Sequence, residues 1–215
     1  KLHFYPRWVE ALGTTIHDYV FKLIIVIIFT IILYFLVHFQ FNCGRFFIFL
    51  LFLGVFNFTM VSLFSLIAFV TPSIAVANLV AGIVLLAVAM YASYVIYLHD
   101  MHPWFVWIAY INPAMFAMEA ILSNELFNLK LDCTETIVPR GATYSNITFM
   151  HKTCAWQGAT LGRNYVLGKD YLKQALDYSY THVWRNFGIL LGFLVFLLFC
   201  SLAAAEYIKP LFSKN

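Results

Sequence analysis

Long apolar runs constrain this chain more than any other feature. They occupy residues 19–39, 46–70, 74–98 and 184–207. Each has about 20 residues or more, enough for a helix to cross a hydrocarbon layer about 30 Å thick. With 63% hydrophobic and 11% charged residues, the composition lies outside the range of soluble domains. The sequence therefore predicts an all-α membrane protein with four spanning helices.

The segment before the first run, residues 1–18, mixes polar and apolar residues. Apolar side chains recur there at roughly helical spacing: Leu2, Tyr5, Val9, Leu12 and Ile16. This pattern is typical of an amphipathic helix that lies on a membrane or against a partner. The alternative is that these residues are the end of the first membrane helix, extended into water.

Residues 99–126 follow the third run and differ from an ordinary span. Trp104, Trp107 and Tyr110 would form an aromatic face of the kind found at a membrane–water interface. A residue before proline avoids the α region, so a helix should break at Asn112 and restart at Pro113. The second piece is apolar, carries a glutamate and is too short to cross a bilayer. We expect a broken pair of interfacial helices.

The segment 127–181 is polar and contains two cysteines, Cys133 and Cys154, together with the glycosylation sequon at Asn146. These features together predict an exported loop with one disulfide and one glycan, although each is weak alone and the cysteines could stay reduced. An external loop after three spans leaves both chain ends inside, so residues 209–215 are expected to form a cytoplasmic tail.

Few functional classes fit the spans. The second and third runs contain no charged residue, which disfavours an ion-coupled carrier. No nucleotide-binding P-loop occurs, and the scattered basic residues give no support for nucleic-acid binding. His99, Asp100 and His102 are too few ligands for a metal site, and no catalytic motif is found. A wall for apolar cargo, powered from elsewhere, fits best.

The third run is expected to be the inner wall of that path. Ala77 and Ala81, like Ala89 and Ser93, are small residues four apart, a spacing that lets membrane helices approach closely. The second run is rich in Phe and Leu and is expected to face lipid.

Several motifs carry a resemblance to a known family. They are WFVWIAYINPAMFAMEAILSNE at 104–125, VPRG at 138–141, GRNYVLGKDYL at 162–172 and YSYTHVWRNFGIL at 178–190. In this order they resemble the fungal pleiotropic drug resistance branch of ABCG-type ABC transporters, over nearly the whole chain. The resemblance implies the second half of an ABCG-type (type II exporter-like) transmembrane domain in the plasma membrane. Residues 1–18 would then be the cytoplasmic coupling-helix region, 19–98 three transmembrane helices and 182–208 the last one.

The resemblance also implies partners and a cargo path. ATP and Mg²⁺ would bind nucleotide-binding domains elsewhere in the full chain, and cargo would pass between this membrane domain and a second one. Glu119 would take part in coupling. The cargo-facing residues implied on the third span are Leu86, Ala89, Met90, Ser93, Tyr94 and Val95.

Three functions remain open from the sequence. The first is ATP-driven export of hydrophobic drugs, and the second is ATP-driven movement of sterol or other lipid, including uptake. The family often has a Gly-Phe pair followed by Pro where this chain has Ser93-Tyr94 and Tyr97, which suggests a narrower cargo. The third is a structural or receptor-like membrane protein that transports nothing.

Overall fold

The computed structural model describes residues 6–133, 136–139 and 149–208. Its α-helices are α1 (Arg7–Leu36), α2 (Cys43–Val70), α3 (Ile74–Met90), α4 (Val106–Ile111), α5 (Pro113–Leu126), α6 (Gly168–Tyr171) and α7 (Val183–Tyr207). The strands are β1 (Lys130–Asp132), β2 (Ile137–Val138), β3 (Thr153–Cys154) and β4 (Tyr165–Leu167). A π-helical turn, Leu172–Leu176, follows α6.

Three helical segments in the described part of the chain are long and apolar enough to cross a membrane: Arg7–Leu36, Cys43–Val70 and Tyr180–Tyr207. The third predicted span is instead the 17-residue helix α3. It ends at Met90 and not at Leu98, because the following residues leave the helical conformation and Ser93 has a left-handed φ of 62°. Four spanning helices therefore remain a prediction.

The first helix includes most of the segment before the first apolar run as well as most of the run itself. Residues 7–36 form one continuous helix with no break near Asp18. This contradicts a separate amphipathic helix and agrees with the alternative, an extended end of the first membrane helix. Gly13 does not interrupt α1, and a helix that has been nucleated continues at little cost.

The centre of the bundle is α2, which packs against α1, α5 and α7. Its buried Phe49 and Phe52 belong to one apolar cluster with Phe116 of α5 and Leu190 of α7. The expectation that the second span faces lipid is therefore wrong, because its large aromatic side chains fill the space between helices. In contrast, α3 has no buried residue within the described part of the chain.

The segment after α5 forms two small antiparallel sheets, β1 with β4 and β2 with β3. The predicted pairing is present as a disulfide between Cys133 and Cys154. The segment lies close against the end of α5, since a Cβ atom added at Gly168 would be 1.7 Å from the Leu126 carbonyl oxygen. Within the segment, the Gly168 N–H donates to the Leu129 carbonyl at 2.8 Å. The sequon at Asn146 and the tail 209–215 lie outside the described residues.

Candidate functional site

The hinge between α4 and α5 occurs where the sequence predicts it. Helix α4 ends at Ile111, α5 starts with Pro113 in its first turn, and Asn112 between them is extended. The Asn112 side chain makes two hydrogen bonds. Its Oδ1 accepts from the Ala114 N–H at 3.0 Å, and its Nδ2 donates to the Val88 carbonyl at 2.8 Å. Val88 lies in the last turn of α3, so one side chain caps α5 and holds the C-terminal end of α3.

Glu119 lies in the middle of α5 and is 4% exposed. Its Oε2 accepts from Asn186 Nδ2 at 2.7 Å and lies 3.8 Å from the Arg185 guanidinium. Its Oε1 lies 2.9 Å from His182 Nδ1 and accepts from the Ser179 N–H at 3.4 Å. A buried carboxylate needs such donors, and all of them come from α7 or from the turn that leads into it.

The last turn of α5 contacts the connection between α1 and α2. Asn124 Nδ2 donates to the Arg45 carbonyl at 3.1 Å and to Glu125 Oε1 at 2.9 Å. Gln40 Nε2 and the Arg45 guanidinium donate to the Glu125 carbonyl, at 3.1 and 3.3 Å. Burial raises the pKa of the Glu125 carboxyl, and the positive charge of Arg45 opposes that shift.

We call α5 the hub helix, because its polar side chains hold three other parts of the bundle. Asn112 binds α3, Glu119 binds α7, and Asn124 binds the start of α2. Most of its residues are buried. Asn112, Glu119 and Asn124 have hydrogen-bond partners on its neighbours. In contrast, Ser123 Oγ and Glu125 Oε2 are buried without such a partner among the described residues. Such an arrangement performs no covalent chemistry. It can pass a displacement of one helix to the others.

The predicted cargo-facing residues fall into two groups. Leu86, Ala89 and Met90 are exposed on α3, and Tyr94 and Val95 are exposed in the segment after it. Ser93 is buried in its left-handed turn, so it does not continue the helical face that the sequence predicted. Five of these six residues are therefore available to a molecule or domain outside this chain.

An apolar cavity of about 380 Å³ lies between α3, α4 and α7, next to Asn112. Trp107 of α4 lines it, together with Ala87 and Val88 of α3 and Phe193 of α7. Trp104 and Tyr110 are also exposed, but Trp104 lies in the turn before α4, so only Trp107 and Tyr110 of the predicted aromatic face are on that helix. Placement of that face at the membrane surface remains a prediction.

Most partners of the hub helix carry no clear signal in the sequence. Gln40 and Arg45 lie between the first two apolar runs, and His182 and Arg185 flank the start of the last one. Asn186 carried the clearest signal, because a side-chain amide at the start of an apolar run needs a partner. Within the described residues no group of three or more His, Cys, Asp or Glu side chains could hold a metal ion. His99 pairs with Asp100 at 3.5 Å near the surface.

Comparison with known proteins gives consistent matches over the whole chain. A family model described as ABC-2 type transporter matches residues 1–126, and one described as CDR ABC transporter matches residues 138–215. The chain is 70% identical over 215 residues to the ATP-dependent permease AUS1 of Saccharomyces cerevisiae, and equally to the ATP-dependent permease PDR11 of that yeast. It is 39% identical over 215 residues to the ABC multidrug transporter atrH of Aspergillus oryzae. These alignments cover 100% of this chain but 15%, 15% and 14% of the three relatives.

Proposed function

The chain belongs to the ABC-2 type transporter family, in the pleiotropic drug resistance branch, and on that premise we propose that it forms the second half of one membrane domain of an ATP-driven transporter of hydrophobic compounds. The chain spans about 15% of the length of the first relatives. In this proposal, ATP and Mg²⁺ bind nucleotide-binding domains in other parts of the full protein. A second membrane domain of the full chain completes the cargo path, and the plasma membrane is the proposed location.

The observation that carries this proposal is the uncovered surface of α3. This helix is apolar apart from Asn78 and buries no residue against the rest of the described chain, whereas α1, α2 and α7 all bury residues. Leu86 is 64% exposed and Met90 is 40% exposed. An apolar wall of this kind binds cargo by shape and area, which suits hydrophobic molecules of several structures.

The hub helix supports a coupling role for Glu119. Its carboxylate joins α5 to α7, and Asn112 joins α5 to α3, so a movement of α7 reaches the proposed cargo wall through two side chains. Glu119→Ala leaves Asn186, which is fully buried, without its carboxylate acceptor. We expect this variant to lose transport turnover while keeping cargo affinity, because Glu119 does not contact the exposed face of α3.

A second candidate function is ATP-dependent uptake of sterol. Two observations favour a cargo narrower than that of a broad drug exporter. The relatives at 70% identity are named permeases, whereas the relative named a multidrug transporter is 39% identical. In addition, the outer end of α3 carries the buried hydroxyl of Ser93 beside the exposed Tyr94.

Movement of a labelled sterol and of a labelled hydrophobic drug, in cells that express the full chain, separates these functions. A variant with inactive ATPase sites is the control. Drug efflux that is lost in the control supports the exporter. ATP-dependent sterol entry without drug efflux supports the uptake transporter. If neither probe moves in an ATP-dependent way, the proposal fails and a structural or receptor-like membrane protein remains.

The proposed cargo wall needs its own test in the same cells. Leu86→Trp adds bulk to the exposed face of α3, and Ile24→Trp adds the same bulk at a 53% exposed position on α1. We expect Leu86→Trp to lower transport severalfold at equal surface expression, and Ile24→Trp to leave it unchanged. Equal effects of the two variants would remove α3 from the cargo path.

A further inference from the structure

The last helix carries a polar contact to another helix in its final turn. Glu206 Oε2 accepts a hydrogen bond from the Trp8 N–H at 3.0 Å. Trp8 is in the first turn of α1, where backbone N–H groups have no partner within the helix. The residue in the N-cap position is Pro6, and it makes no side-chain cap. Glu206 therefore takes the role of a cap from a different helix, and its negative charge suits the positive end of the α1 dipole.

The first turn of α7 carries a second contact, to the hub helix. Asn186 donates to Glu119 at 2.7 Å, and His182, just before α7, lies 2.9 Å from the same carboxylate. Asn186 and Glu206 are 20 residues apart in one uninterrupted helix, which corresponds to about 30 Å along its axis. One helix thus connects the first turn of α1 with the hub helix.

We propose that α7 is a rigid link that passes a displacement of the first turn of α1 to the hub helix, with Glu206 as the positioning residue at its inner end. This inference rests on the proposed function, together with the assignment of residues 1–18, which include the first turn of α1, as the coupling region of an ATP-driven transporter. A carboxylate in a helix-to-helix cap holds α7 to α1 directionally, whereas apolar contacts would let the two helices slide.

Another contact offers a matched control. The Tyr19 hydroxyl bonds to Ser62 of α2, so it also joins α1 to a neighbouring helix but does not involve α7. Tyr19→Phe removes only that hydroxyl. Two variants at distant, independent sites have additive effects in free energy, so the fold loss of the double variant is the product of the two single fold losses. If α7 is a rigid link, a variant at either end already breaks it. The double variant at its two ends should then lose less than that product.

The experiment measures cargo moved per ATP hydrolysed, with the purified full chain in proteoliposomes. We expect Glu206→Ala, which removes the acceptor for the Trp8 N–H, and Asn186→Ala each to lower this ratio by about fivefold, the low end of typical coupling between two sites. The double variant should be no worse than the worse single variant. Tyr19→Phe combined with Asn186→Ala should instead give the product of their separate effects. Since Asn186 is buried, His182→Ala provides a second outer variant at a half-exposed position.

Two results would overturn the inference. One is a Glu206→Ala ratio equal to that of the unaltered chain. The other is a double variant whose loss is the product of the two single losses, about 25-fold for two fivefold effects.

Hydrogen exchange in the same purified chain tests the link without measuring transport. The link can therefore be refuted independently of the proposed function. Glu206→Ala should speed amide exchange both in the first turn of α1 and in α5. Faster exchange in α1 alone would refute the link even in a chain that moves no cargo.

Discussion

The segment from β1 to α6 is external in the proposed topology, and we call it the external segment. Alanine at Gly168 should separate it from the end of the hub helix. A Cβ atom at this position would lie 1.7 Å from the Leu126 carbonyl oxygen, 2.7 Å from its carbon and 3.1 Å from the Leu129 oxygen. All three atoms belong to the backbone, so no side-chain rotation can relieve the overlap. The chain at β4 and α6 must move away by about 1.3 Å to bring the shortest contact to 3.0 Å.

The cost has two parts. The movement weakens the hydrogen bond from the Gly168 N–H to the Leu129 carbonyl, now 2.8 Å long, and a typical bond of this kind contributes about 0.5–1.5 kcal/mol. Overpacking of a close contact adds about 1–3 kcal/mol. The external segment should therefore lose about 2–4 kcal/mol of local stability, and its amides should exchange about 30-fold faster or more.

Hydrogen exchange of the purified full chain measures this directly. We expect Gly168→Ala to speed exchange in β1, β4 and α6, while α2 and α7 stay protected. Gly188→Ala is the matched control, because a Cβ atom there would meet no atom within 4 Å. Unchanged protection of Val166 and its neighbours in Gly168→Ala would refute the close contact between the external segment and α5.

Three further outcomes follow from the contacts of α5 and of the external segment. Asn112→Ala removes a helix cap, which typically costs about 0.5–2 kcal/mol, and frees the Val88 carbonyl, so thermal unfolding should occur at a lower temperature. The pKa of Glu125 is raised in the folded state, so above that pKa the ionised carboxylate lowers the free energy of unfolding. As the pH falls towards the ordinary carboxyl range, Glu125 becomes protonated in the folded state and this destabilisation disappears. Glu125→Gln should therefore raise the Tm at neutral pH more than at pH values near that range, and an equal change at both would contradict the assignment. Peptide mapping under non-reducing conditions should find Cys133 joined to Cys154, and two free thiols in the surface protein would show that the disulfide is wrong.

Local signals in the sequence predicted local structure well. The Asn112-Pro113 step gave the break between α4 and α5, because proline restricts its predecessor and fits the first helical turn. The two cysteines of the polar segment pair as expected. Three of the apolar runs that are long enough to cross a bilayer correctly predicted α1, α2 and α7.

Packing between helices was harder to predict. A helix that is apolar on all sides has no periodicity that distinguishes its buried face, so the central position of α2 was not visible in its Phe-rich sequence. The apolar run continues past Met90 to Leu98, so hydrophobicity does not mark the end of α3. That end depends on how the residues after Met90 pack beneath the external segment. Contacts such as Glu206 with Trp8 join residues far apart in sequence, and neither residue is unusual in its own segment.

The length of α3 has a consequence for the surrounding bilayer. Its 17 residues extend over about 26 Å, which is less than the hydrocarbon thickness of about 30 Å. In the proposed topology, either the bilayer beside α3 becomes thinner locally, or other parts of the protein cover the ends of the helix. Hydrophobic mismatch would then concentrate at the proposed cargo wall, and reconstitution into bilayers of shorter acyl chains should favour transport.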